Sequence, residues 1–299
     1  MKVLNFGSLN LDYVYQVESI LIPGETQTSK GRNLFCGGKG LNQSIALARA
    51  GIPVYHAGMI GEGGDILLQT CRENGVNTDF IRKADGPCGH TIIQVDKNGQ
   101  NSILLFGGSN QKITKEFVDF VLGHFEKGDI LLLQNEINEL GYIIDSAYEK
   151  GMKIILNPSP YDSALDECDL KKVSLFLVNE IEGNQITGEK EPENILKKFR
   201  EIYPDGKVVL TLGANGSYYQ GAENTYHQGI FKTDAVDTTA AGDTFTGYFI
   251  SSIIKNMPVQ EGLRLAAKAS AIAVSRPGAT ASIPEIEEVL KSELSEKQE

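Results

Sequence analysis

Four cysteines in 299 residues, Cys36, Cys71, Cys88 and Cys168, are too few and too scattered for a disulfide frame or a metal site. They read as reduced thiols of a cytoplasmic protein, and Cys36, although it adjoins a glycine cluster, as a packed thiol rather than a reactive one. Positive charge is also short. Lys and Arg number 28 against 39 Asp and Glu, a net charge of −11. That balance excludes nucleic acid and anionic membranes as partners, but not ATP, whose site would be local. No apolar run is long enough to span a bilayer. The opening Met1-Lys2-Val3-Leu4-Asn5-Phe6 is a short strand rather than a signal peptide. Gly7-Ser8-Leu9 lacks the G-x-G-x-x-G spacing of a dinucleotide fold, and Gly38-Lys39 is followed by Gly40, not by the Ser or Thr of a Walker loop. The four histidines, His56, His90, His124 and His227, stand apart from any catalytic partner in sequence and read as ordinary core or surface residues. There is no internal repeat and no low-complexity linker.

What the chain does have is a regular alternation. Short apolar runs at Val3–Phe6, Val54–Met59, Ile130–Leu133, Ile154–Leu156, Leu175–Val178 and Val208–Leu212 predict buried strands. Helical patterns near 41–50, 64–73, 138–149 and 193–202 fall between several of them. Two longer ones, near 242–255 and 259–274, follow. This order predicts an α/β fold, a central, mostly parallel sheet with helices on both faces. The length suits one large domain or two smaller ones, and we expect a single domain over 1–299. Two regions break the alternation. Tyr13–Val17 and Thr28–Cys36 read as extended. Thr91–Val95 and Ser102–Phe106 flank Asp96-Lys97-Asn98-Gly99, a hairpin signal. These pieces, within about 13–36 and 90–107, predict a small separate sheet. The tail beyond Leu290 is charged and reads as frayed.

Chemistry concentrates in a few segments. In Asp237-Thr238-Thr239-Ala240-Ala241-Gly242-Asp243-Thr244-Phe245, small residues open into a stripe of Phe245, Phe249 and Ile253 at helical spacing. Ala240 to Asp243 should form the first turn, where free N–H groups and the helix dipole seat an anion. An acid there repels phosphate but can take a proton from a hydroxyl that attacks one. The plainer alternative is an acid that steadies a helix start. Gly37-Gly38-Lys39-Gly40-Leu41-Asn42-Gln43-Ser44 leads into a second helix, with Leu41, Ile45 and Ala48 on one face. The glycines allow close backbone approach. Lys39 sits where the dipole disfavours a cation, so either its neighbourhood contacts something or it is a solvated lysine in a turn. Three further segments are each ambiguous alone. Asn10 and Asp12 suit a turn after the first strand. Asn179-Glu180-Ile181-Glu182 suits an N-cap with acids in the first turn. Thr211-Leu212-Gly213-Ala214-Asn215-Gly216 suits a hairpin turn before Ser217–Tyr219.

Taken in order, these motifs resemble the ribokinase family of sugar kinases, also called the phosphofructokinase-B family, from about Val3 to Pro284. The resemblance implies transfer of the ATP γ-phosphoryl group to a sugar hydroxyl. D-Ribose is the first expectation. A deoxyribose, nucleoside or other sugar kinase, or an inactive sugar-binding homologue, are the alternatives. It implies Asp243 as general base, with the N–H groups of Ala240, Ala241, Gly242 and Asp243 as an anion hole. Asn10, Asp12, Gly38, Lys39, Asn42 and Glu136 would hold the sugar. Asn179, Thr211, Gly213, Gly216 and Ala267 would lie at the nucleotide. Glu182 would reach Mg²⁺ through water. Asp237, Thr239, Ala273, Arg276, Gly278 and Ser282 would hold K⁺, mostly through backbone carbonyls. The small sheet would be a lid over the sugar and the surface of a homodimer. Two positions depart from the family pattern. Ala240 stands where many relatives have Gly, and Ala267-Lys268 where relatives often have Asn or His near adenine.

Overall fold

Residues 1–297 are described by the computed structural model of the protein, and they form two sheets. Nine strands build the larger one: β1 (Val3–Phe6), β4 (Val54–Glu62), β5 (Asn77–Pro87), β8 (Ile130–Gln134), β9 (Lys153–Asn157), β10 (Leu175–Asn179), β11 (Lys207–Thr211), β12 (Ser217–Gln220) and β13 (Thr225–Gln228). Their order is β13-β12-β11-β10-β9-β8-β1-β4-β5. All neighbours from β11 to β5 are parallel, and β12 and β13 add an antiparallel edge. The helices are α1 (Lys39–Arg49), α2 (Asp65–Glu73), α3 (Lys115–Leu122), α4 (Leu140–Glu149), α5 (Glu180–Thr187), α6 (Pro192–Ile202), α7 (Ala241–Ile254), α8 (Val259–Val274) and α9 (Ile286–Lys291).

The strands lack a polar alternation because both faces are covered. Successive residues take opposite sides. Val3 and Leu132 enter a core with Leu41 and Ile45 of α1, Phe249 of α7 and Leu263 of α8. Leu4, Leu131 and Leu133 enter a second core with Val118 of α3, Ile143 of α4 and Phe199 of α6. A fully buried side chain such as Phe249 contributes about 1.5–3 kcal/mol through lost apolar surface.

The smaller sheet holds β2 (Asn10–Gln16), β3 (Gly31–Gly37), β6 (Gly89–Val95) and β7 (Asn101–Phe106), in the order β3-β2-β6-β7. It is mixed: β2 runs antiparallel to β3 and parallel to β6, and β6 to β7 is a hairpin. In that hairpin Asp96 Oδ1 accepts from the N–H groups of Asn98 and Gln100, and Gly99 takes φ 77°. Asn10 and Asp12 are thus strand residues, not turn residues.

Several local expectations give way. The first turn of α7 begins at Ala241, and Ala240 is its N-cap in the left-handed region, φ 59°. Strands β5 and β13 and helices α3 and α9 carry no signal strong enough to stand out in sequence. The tail is no frayed end. The Lys232 N–H donates to Ser295 O at 2.9 Å and the Lys297 N–H to Ile230 O at 2.8 Å, while Leu294 packs on the core. One apolar anchor and main-chain pairing outweigh a charged composition that suggested solvation. The last two residues of the expected domain lie outside the described range. Among the described residues no helix is long and apolar enough to cross a membrane.

Candidate active site

Two helix N-termini meet at one carboxylate. Asp243, in the first turn of α7, is 7% exposed. Its Oδ2 accepts from Asn42 Nδ2 and its Oδ1 from Gln43 Nε2, each at 2.9 Å. Both amides belong to α1, so two segments about two hundred residues apart close on the same acid. α1 can approach because Gly38 takes φ 92° and because a Cβ on Gly40 would stand 2.3 Å from Ser8 N. Beside Asp243 lies a cavity of about 240 Å³, lined among others by Lys39, Asn157, Asn179, Glu182 and Ala240 to Gly242. Among the described residues no carbonyl accepts from the N–H of Gly242 or Asp243, so both are open to an anion. The Ala241 N–H is different. It donates to Thr238 O at 3.2 Å, because the left-handed Ala240 folds the chain back one turn early.

On the other side of Lys39 the polyol-binding candidates gather. Ser8 Oγ donates to Glu136 Oε2, which also accepts from the Lys39 N–H at 3.0 Å. Thr91 Oγ1 donates to Asp12 Oδ1 at 2.6 Å. A Cβ on Gly37 would fall 1.9 Å from Asp12 Oδ2, so only glycine fits under that carboxylate. Asn110 Nδ2 donates to Asn10 Oδ1 at 2.7 Å. Asn42 Oδ1 is buried and has no partner among the described residues, an acceptor awaiting a hydroxyl.

The charges respond to this crowding. Burial raises the Asp12 carboxyl to about 6; Thr91 opposes the shift and Glu136 adds to it. Burial also raises Glu136, against the pull of Lys39 and Ser8. For Lys39, burial acts to lower the ammonium, but Asp243, Glu136 and Glu182 together hold it above its ordinary value. Lys39 therefore stays charged between three acids, which answers why a lysine occupies a helix start.

The remaining positions divide. Asn179 and Glu182 form a full capping box on α5, with Asn179 Oδ1 accepting from the Ile181 and Glu182 N–H groups. Glu182 also lines the cavity, so cap and site coincide. One carboxylate in the wall of this cavity suits a cation that keeps most of its waters, as Mg²⁺ does. Thr211 reaches the cavity; Gly213, Gly216 and Ala267 do not line it. Gly216 is required by the hairpin, since a Cβ there would stand 2.2 Å from Gln228 O. Asp237 accepts from the Thr239 N–H and the Gly278 N–H, each at 2.9 Å, which joins those three residues. Burial acts to raise the Asp237 carboxyl, and the Thr239 and Gly278 hydrogen bonds overcome it, so it lies below its ordinary value. The Arg276 guanidinium is paired with Glu288, leaving only its carbonyl for a cation. Ser282 is buried with its hydroxyl on Ala279 O. The Ala273 carbonyl already accepts from the Arg276 N–H at 3.1 Å.

Ser8, Gln43, Thr91, Asn110 and Asn157 are site residues that sequence alone leaves unassigned. Their types are common, and tertiary contacts alone bring Thr91 and Asn157 from strands, Gln43 from α1, and Ser8 and Asn110 from connecting segments to the same region. Gln43, inside the glycine motif, and Ser8, in the segment that leads to Asn10 and Asp12, carried a positional signal.

A profile described as pfkB family carbohydrate kinase matches residues 1–286. A ribokinase of Staphylococcus aureus is 34% identical over 302 residues, covering 96% of this chain and 98% of the relative. A deoxyribokinase of Salmonella typhi is 28% identical over 299 residues, covering 96% and 97%. Among solved structures, an Arabidopsis thaliana ribokinase complexed with ribose and ATP superposes with a TM-score of 0.86 at 30% identity, covering 97% of each chain.

Proposed function

The chain belongs to the pfkB family of carbohydrate kinases, and from that premise we propose that it transfers the γ-phosphoryl group of ATP to a hydroxyl of D-ribose. The observation that carries the chemistry is Asp243, held by two amide donors where two helix N-termini face one cavity. Asp243 takes the proton of the attacking hydroxyl. The hydroxyl oxygen forms the new bond to phosphorus as the bond to the bridging oxygen of ATP breaks, and ADP leaves with the electron pair. The open N–H groups of Gly242 and Asp243 receive the transferring phosphoryl oxygens, and Lys39 offsets their charge. Asn42 Oδ1, Asp12 and Glu136 accept from sugar hydroxyls, while Asn10 and Gly38 complete that wall. Asn179 and Thr211 face the nucleotide in this reading, while Gly213, Gly216 and Ala267 lie beyond the cavity wall. Glu182 would hold the waters of Mg²⁺, which when bound shields the phosphate charges. Asp237, with the carbonyls of Thr239, Ala273, Arg276 and Gly278 and with Ser282, would hold K⁺. Four free thiols suit a reducing cytoplasm.

Ribose is favoured because the 34% identical ribokinase and the ribose-bound structure align over nearly the whole chain. A deoxyribose substrate is the second reading, favoured by the deoxyribokinase match. ADP release across a panel of pentoses, hexoses and nucleosides separates them. D-Ribose should show the highest kcat/KM, and a different sugar preferred more than about tenfold, or 1.4 kcal/mol, would replace it. Asp243→Asn should bind ribose and ATP almost as before and lose roughly 10²–10⁴ in kcat, the range of a general base. Activity within a few-fold of the parent would remove Asp243 from that role.

A further inference from the structure

A chain of buried uncharged side chains runs away from Asp243 into the sheet. Gln43 Nε2 donates to Asp243 Oδ1 and to Asn157 Oδ1, each at 2.9 Å. Gln43 Oε1 accepts from Gln134 Nε2 at 2.7 Å, and the same nitrogen donates to Asn5 Oδ1 at 3.0 Å. Asn5 Nδ2 donates to Gly40 O at 2.7 Å and to Ser44 Oγ at 2.8 Å. Ser44 Oγ meets His56 Nδ1 at 2.8 Å, and His56 Nε2 meets Gly7 O at 3.2 Å. Asn5, Gln43, Ser44 and His56 are 0% exposed and Gln134 is 1% exposed. Buried polar groups are costly unless hydrogen-bonded, and in this chain only Gln134 Oε1 lacks a partner among the described residues.

The direction of every donor in this chain is forced from its ends. Gly40 O and Gly7 O can only accept. Asn5 must therefore present Nδ2 to Gly40 and Ser44, leaving its Oδ1 toward Gln134. His56 must carry its proton on Nε2 for Gly7 O, so Nδ1 accepts from the Ser44 hydroxyl. Burial lowers the His56 imidazole to about 4, so it stays neutral and the pattern does not reverse. Gln134 must then point Nε2 at Asn5, and its second proton meets Gln43 Oε1. Gln43 is thereby barred from turning over, and one of its N–H groups remains aimed at Asp243 and the other at Asn157. If it did turn, a carbonyl oxygen would face the carboxylate. Space is reserved for this arrangement: a Cβ on Gly7 would lie 2.4 Å from Gln134 Oε1.

We propose that Gln43 is a positioning residue for the phosphoryl transfer and that Gln134, anchored through Asn5 on the Gly40 carbonyl, locks its amide so that Asp243 holds one orientation toward the attacking hydroxyl. This rests on Asp243 being the base. It adds a mechanical link, because the same Asn5 amide that sets the lock also grips the glycine turn carrying Lys39 and Asn42.

The test compares Gln43→Met and Gln134→Met with the parent and with Asp243→Asn. Each Met keeps the volume and removes the amide. Gln43→Met should lower kcat by about 10- to 100-fold, the scale of a misplaced reacting group, with calorimetric Kd values for ADP and the sugar within about threefold. Gln134→Met should act in the same direction but less. It leaves both Gln43 donors present, so it carries the test if Gln43→Met does not fold. In the Asp243→Asn background, Gln43→Met should cost less than about twofold, because a lock has nothing left to aim. Full kcat in Gln43→Met and Gln134→Met, beside an inactive Asp243→Asn, overturns the lock alone. Losses that multiply in the double variant also overturn it, since they mark general packing damage. An active Asp243→Asn overturns the base assignment and the lock together. If another panel sugar replaces ribose, the comparison is made with that sugar.

Discussion

Asp12 sits at the site with a carboxyl that burial raises to about 6. An acid whose folded value exceeds its unfolded one favours the fold when protonated. That contribution is fully present below pH 3.8 and is lost as pH rises through about 6. Asp12→Asn should therefore raise the melting temperature at pH 8. The gain in stability should be no more than about 3 kcal/mol, the free-energy equivalent of moving a carboxyl from 3.8 to about 6. It should vanish below pH 4. Sugar binding should change in the opposite sense, because the amide no longer offers two acceptors to the polyol. The KM of the parent for sugar should likewise rise as pH falls through about 6. A variant no more stable than the parent at pH 8 would show that the raised value does not describe this acid. Ala240 makes a similar sacrifice: a residue with a Cβ at φ 59° costs about 1 kcal/mol, and the turn it makes leaves the N–H groups of Gly242 and Asp243 open.

At the scale of elements, the site is built from ends. α1, α5 and α7 all start at the cavity, so three positive helix ends gather there, while the open N–H groups are those of Gly242 and Asp243 in α7. The segment after α8 is joined to the one before α7 by Asp237 and Gly278. A cation held there would steady the chain that leads into Ala240, without touching the sugar. With MgATP, activity should rise when K⁺ replaces a bulky organic cation at equal ionic strength. Equal rates in the two salts would dismiss a working cation site. Asn179 to Glu182 shows how element and site reasoning converge, since the capping box on α5 places its Glu182 carboxylate in the cavity wall.

For the whole molecule, the small sheet sets the question of assembly. All six residues of β7 are exposed, Ile103 at 58% and Leu104 at 67%. Ile92 and Leu104 are cross-strand partners, and alternation puts them on the face opposite Asp12 and Thr91. Ile103 and Leu105 share the face of Asp12, and Ile92, Leu104 and Phe106 the other, so the β6–β7 hairpin leaves apolar side chains bare on both faces, while Leu11 and Tyr13 of the second face pack on the core. We propose that two copies cover each other there, as a closed two-fold dimer that also stiffens the sheet as a lid. Light scattering at micromolar concentration should give twice 32.5 kDa. Ile92→Glu with Leu104→Glu should give the single mass. A parent of 32.5 kDa would refute the dimer, and a dimer that persists in the double variant would place its interface elsewhere.

The sequence by itself determined the α/β alternation, the six buried strands, the Asp96–Gly99 hairpin and the helix that carries Phe245. Each rests on local chemistry: apolar runs, helical periodicity, and glycine or Asn-Gly where the backbone must turn. Motif order across the chain was also enough to read the family. Tertiary structure alone decided the rest. It made Asn10 and Asp12 strand residues, because strand identity there depends on pairing of Asn10 with Gly37 and Gly89 and of Asp12 with Phe35 and Thr91. It anchored the tail on Ile230 and Lys232, against its charged composition. It turned the Ala241 N–H back to Thr238, through a backbone angle that no side chain announces. And it joined Asp243 to Gln43, Gln134 and Asn5, which come from α7, α1, β8 and β1. Amides at such separations carry no periodicity, and only the parallel sheet brings them within hydrogen-bond reach.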